Sequence, residues 1–84
     1  IKNMAFNPAS LSVTAGATVT WTNSDTTIHT VTADDGSFNS GNIAIGATYS
    51  RVFNTAGTFS YHCTIHPEMT GKVMVTGSTS GGGY

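Results

Sequence analysis

The chain has 84 residues, enough for one domain, with 38% hydrophobic residues, 8% charged residues and a formal net charge of −1. That balance excludes disorder by composition and a basic face able to neutralise phosphates, so nucleic acid is not an expected partner. No run approaches the roughly 20 apolar residues of a membrane span, and Cys63 is the one cysteine, so no internal disulfide can form.

Taken in chain order, the sequence reads as short strands broken by turns. Ile1–Phe6 is a predicted first strand, ended by Asn7-Pro8. Ser10–Thr14 alternates apolar and polar side chains and stops at Gly16. Thr18–Thr22 alternates again, which places Val19 and Trp21 on one face. Asn23-Ser-Asp25 is a turn, Ile28–Ala33 a further strand, and Asp34-Asp35-Gly36 ends it. Gly41–Gly46 is an irregular connection, and Ala47–Phe53 a strand offering Tyr49 and Phe53 to the core. After Ala56-Gly57, the strand Thr58–Cys63 sets Phe59, Tyr61 and Cys63 on one side, and Lys72–Thr76 closes the body. No window has a helical period. About seven or eight strands in so short a chain imply an all-β sandwich of two packed sheets. Residues 1–77 form the predicted domain, and the Gly/Ser-rich residues 78–84 read as a flexible tail or linker.

The chemistry concentrates in Tyr61-His-Cys-Thr-Ile-His-Pro-Glu-Met69. Cys63, His66 and Met69 follow one another at intervals of three residues, directly after a strand and in a loop stiffened by Pro67. A thiolate, an imidazole and a thioether together are the soft and borderline donors that copper prefers, and His29 on an earlier strand is available as a second imidazole. Two imidazoles and a thiolate in a plane, with a weak axial Met, make an electron-transfer copper site. Each residue alone has a blander reading. A lone cysteine is usually a small buried hydrophobe, His66-Pro67 an ordinary turn, and Met69 a core filler. Zinc is the competing metal, but a structural zinc site wants four strong ligands and a thioether is a poor one. A bound metal would also serve as the staple that a domain of this size often needs.

These residues resemble the cupredoxins, the type 1 blue copper proteins, and Cys63-x-x-His66-x-x-Met69 is similar to the spacing in amicyanins. Phe6-x-Pro8, Val19-Thr-Trp-Thr-Asn23, His29-Thr-Val31, Asp35-Gly36 and Ala56-Gly-Thr-Phe-x-Tyr61 sit where small plastocyanin-like domains carry similar pieces. The resemblance implies a Greek-key sandwich with one copper ion at one end. It makes His29 the first imidazole ligand, Cys63 the thiolate, His66 the second imidazole and Met69 the axial thioether. It implies a monomeric carrier of single electrons rather than an enzyme. Redox partner proteins would dock on an apolar patch around His66, formed by Ile65, Pro67 and Pro8. It also implies a place outside the cytoplasm, in a periplasm or at a cell surface, and the Gly/Ser-rich tail or a removed N-terminal segment offers a route to a membrane tether.

Two departures shape the expectations. Thr30 stands where many relatives have Asn, which predicts looser hydrogen bonding around the Cys63 sulfur. The brief connection from Asp34 to Gly46 predicts a less covered site. Together they motivate a second reading, a copper redox enzyme for a small nitrogen oxide or oxygen with an open axial position. A third is a copper-carrying domain of a larger protein. His62 precedes Cys63 as a histidine does in copper nitrite reductases, where it binds a second copper, but alternation points it outward as a surface residue. Glu68 is the single charge in the loop and reads as solvated.

Overall fold

The computed structural model describes residues 1–77, so the tail expected over 78–84 lies outside the described residues. Six strands form in the order β1 (Ser10–Thr14), β2 (Ala17–Thr22), β3 (Thr32–Ala33), β4 (Thr48–Phe53), β5 (Gly57–His62) and β6 (Thr70–Thr76). One sheet has the order β1-β6-β5-β3, and the other pairs β2 with β4. β1 runs parallel to β6, and the other pairs are antiparallel. The chain changes sheet at every connection except the β5–β6 hairpin, so the two layers are interlocked rather than merely stacked.

Alternation explains the layers. Val19 and Trp21 on β2 turn inward while the alternating Thr18, Thr20 and Thr22 face solvent. Trp21 is the centre of the core. Its ring packs edge-on against Tyr61 of the opposite sheet at 5.5 Å, and against Tyr49 and Phe53 of its own sheet at 5.6 and 6.2 Å. Val73 and Val75 on β6 close the same interior.

The sandwich is as expected, but the described residues hold six strands instead of seven or eight. Ile1–Phe6 is not a strand. Lys2 and Ala5 exchange both backbone hydrogen bonds, at 3.0 and 3.1 Å, across a tight turn. Asn3 and Met4 pass through it with φ of 55° and 59°. The Asn7-Pro8 peptide that follows is cis. Ile28–Ala33 is ladder-paired as a strand only at Thr32–Ala33. Upstream, His29 bridges to Ile43 and Val31 donates to the Ser40 hydroxyl, so this stretch spends its backbone groups on the 39–43 connection.

Candidate metal centre

Two chain segments build the site. The first is the loop that joins β5 to β6. His62 pairs with Thr70 at the last rung of the hairpin, and the chain between them forms a closed turn. The Cys63 N–H donates to the Met69 carbonyl at 3.1 Å, and the Met69 N–H donates to the His66 carbonyl at 2.9 Å. These bonds aim Cys63 and His66 inward from one small loop and bury Met69 at its base. The second segment is residues 23–31. Asn23, fully buried, donates through Nδ2 to the carbonyls of Thr27 and Ile43, both at 2.9 Å. It thereby ties the end of β2 to the chain opposite His29, whose own backbone pairs with Ile43.

The structure brings His29, Cys63 and His66 together, with one donor atom from each inside 4.8 Å of the others. The Cys63 Sγ stands 3.7 Å from His29 Nδ1 and 3.9 Å from His66 Nδ1. Sulfur and nitrogen donors about 2.0–2.3 Å from one ion, at angles between tetrahedral and trigonal, stand about 3.6–3.8 Å apart, so the spacing suits a shared metal ion. One thiolate with two imidazoles is also the donor set that suits copper. His29 and Cys63 are 0% exposed, and His66 is half-buried beside the exposed Ile65 and Pro67. The covered site corrects the expectation drawn from the brief 34–46 connection.

Thr30 also corrects an expectation. Its N–H donates to the Cys63 sulfur at 3.3 Å. Its hydroxyl accepts the Thr64 N–H at 2.9 Å and meets the Thr64 and Thr32 hydroxyls at 3.2 and 3.1 Å. A hydroxyl on a short side chain therefore braces the cysteine loop. Burial alone would push the Cys63 thiol up, but the Thr30 N–H and the contacts of His29 and His66 outweigh it and bring the thiol down to about 6. The thiolate that a metal needs is thus favoured near neutral pH.

Asp25 is the residue that sequence reasoning left in a turn. Its Oδ2 lies 2.8 Å from His29 Nε2 and accepts the Met4 N–H at 2.9 Å, while Oδ1 accepts the Thr26 N–H at 2.8 Å. The hydrogen bond from His29, then those from Met4 and Thr26, hold its carboxyl down at about 2. An ionised carboxylate has no proton to donate, so His29 is the donor through Nε2, and the Nδ1 lone pair is left facing Cys63. The one signal in the sequence is an Asp four residues before the His.

His62 points outward as alternation required, and its Nδ1 lies 2.6 Å from Asp34 Oδ1. Among the described residues it joins no cluster of metal donors, so the second-copper reading finds no support there.

A model of copper-binding proteins of the plastocyanin/azurin family matches residues 1–76. The chain is 38% identical over 80 residues to amicyanin-alpha of Methylorubrum extorquens, covering 89% of this chain and 67% of the relative. It is 35% identical to the plastocyanin of Scenedesmus fuscus, covering 87% and 86% of the two. A solved structure of a reduced amicyanin variant superposes with a TM-score of 0.85 at 34% identity, over 90% of this chain and 77% of that one. The chain spans only 61% to 67% of the length of the curated amicyanins it matches.

Proposed function

The chain belongs to the plastocyanin/azurin family of copper-binding proteins, and on that premise we propose that it carries single electrons on one copper ion held by His29, Cys63, His66 and Met69. The observation that supports this best is the convergence of one thiol and one ring nitrogen from each of two imidazoles within 4.8 Å of one another. Copper bound there supplies one-electron Cu(I)/Cu(II) exchange. The residues do the rest. Cys63 offers a thiolate, and the hydrogen bonds of Thr30 and Met69 fix its loop before any electron arrives. His29 keeps its place through Asp25 and Ile43. Met69, buried at the base of the loop, would offer its thioether as the fourth, weaker donor. Because the ligand frame is fixed by the fold, it need not rearrange when charge changes, which favours fast exchange and no chemical change in a substrate.

His66 is the route for electrons, since it is the half-buried member of the donor set. Ile65, 46% exposed, and Pro67 flank it and form the face on which a redox partner docks. Such encounters use small, weakly charged contacts. The chain works as a monomer outside the cytoplasm, where a copper–thiolate protein meets its metal. No helix among the described residues is long and apolar enough to cross a membrane.

Redox titration of the copper-loaded protein tests this reading. The expected result is one reversible one-electron couple, absent in Cys63→Ala. Electron self-exchange between oxidised and reduced copies tests the docking face. Ile65→Asp should slow it about tenfold, through like-charge repulsion across the encounter, without altering the visible spectrum. Unchanged exchange would remove Ile65 from the docking face.

A further inference from the structure

Asp25 touches the donor set without belonging to it. His29 is wholly buried, and its ring nitrogens have two different neighbours: Cys63 Sγ at 3.7 Å from Nδ1, and Asp25 Oδ2 at 2.8 Å from Nε2. Holding the ring in this orientation needs only an acceptor on Nε2, and a backbone carbonyl would do. A carboxylate adds a full negative charge on the far side of the imidazole from the sulfur. That charge is not an accident of a loose side chain. Asp25 accepts N–H groups from Met4 and Thr26, and its own N–H donates to Asn23 Oδ1 at 3.0 Å. The Met4 donor is aimed by a turn in which Asn3 and Met4, neither of them glycine, both adopt positive φ. Asn23 in turn is anchored by the carbonyls of Thr27 and Ile43. Two separate stretches of chain, the 2–5 turn and residues 23–29, thus converge on one carboxylate and point it at one imidazole.

We propose that Asp25 is a positioning residue that sets the reduction potential: it takes the Nε2–H of His29, fixes the tautomer that presents Nδ1 to the metal, and by its charge favours Cu(II) over Cu(I). The proposal rests on the copper reading above. A partner carboxylate strengthens an imidazole as a donor, and a stronger donor with nearby negative charge stabilises the more highly charged ion. The effect therefore has a sign. Removing the charge while keeping an acceptor must raise the potential.

The test uses the full chain loaded with copper. Asp25→Asn keeps an oxygen of similar reach and removes the charge. Its expected result is a Cu(II):Cu(I) affinity ratio at least about tenfold lower, which is about 59 mV upward for a one-electron couple. Asp25→Glu, which keeps the charge, should stay nearer the wild type. A role confined to holding the fold would lower the melting temperature of Asp25→Asn and leave its potential unchanged, and that outcome overturns the proposal. A measurement on the unmutated protein guards against a variant that fails to fold. In the Cu(I) form, nitrogen NMR of His29 should find the proton on Nε2, and a proton on Nδ1 overturns the proposal. The two readings fail separately. A wild-type protein with no thiolate-to-copper band sinks the copper reading, whereas a normal band with no shift in Asp25→Asn sinks this inference alone.

Discussion

The thiol of Cys63 is lowered although it is buried, and the cause is the number of donors turned toward it. Thr30 contributes a backbone N–H, which no side-chain substitution short of proline removes. That makes the sulfur environment robust to the Asn-to-Thr departure, whose expected loosening did not occur. What the sequence could reveal at this scale was local. Cys63 and His66, which the structure gathers with His29, were legible because chemically distinctive side chains share one loop. The partnership of Asp25 with His29 was not, because it depends on how residues 23–31 fold against Ile43 and Met4, which no spacing rule encodes. Asp25 also supplies a pH test in the metal-free protein. Its folded carboxyl is depressed from 3.8 to about 2. The stability it contributes is therefore present above the unfolded value and is lost as pH falls through the folded one. Between pH 4 and pH 2 the melting temperature of the wild-type apoprotein should fall more steeply than that of Asp25→Asn. Parallel curves would mean that the carboxylate is not held as described.

At the scale of elements, the strands with clean alternation formed where the sequence placed them, within one residue or two. Lys72–Thr76 grew to Thr70–Thr76 because the hairpin with β5 continues to His62. The misses were Ile1–Phe6 and Ile28–Ala33. In both, apolar content suggested a strand, and the backbone hydrogen bonds went elsewhere, to a self-closed turn and to the 39–43 connection. One glycine shows how tightly the site hairpin is packed. A Cβ on Gly71 would come within 2.7 Å of the Tyr61 ring, which sits opposite it in the β5–β6 register. Tyr61 cannot retreat freely, since it is stacked edge-on against Phe6 at 4.9 Å and Trp21 at 5.5 Å. Gly71→Ala should therefore cost about 1–3 kcal/mol, read by denaturant unfolding of the apoprotein. A change below about 0.5 kcal/mol would show that the ring moves without penalty.

For the molecule as a whole, the candidate donors join residues 34 apart in sequence, His29 and Cys63, at the end of a small sandwich that has no disulfide. A bound ion is then a folding ligand as well as a redox centre. Copper at about a thousand times its dissociation constant would add about 4 kcal/mol, which in a domain of this size raises the melting temperature by on the order of 20 °C. Chelation should reverse the gain, and Cys63→Ala should show little of it. An equal gain in Cys63→Ala would place the ion elsewhere. The fold class was legible from strand alternation, and the site's position at one end of the sandwich came only through the family resemblance. The covered, hydrogen-bonded character of the site was not, because burial is a property of the assembled layers. The most direct measurement is the visible and electron-paramagnetic-resonance spectrum of the Cu(II)-loaded protein. An intense thiolate-to-copper band with narrow copper hyperfine splitting is expected, lost in Cys63→Ala. A colourless Cu(II) protein, or a spectrum that survives Cys63→Ala unchanged, would contradict it.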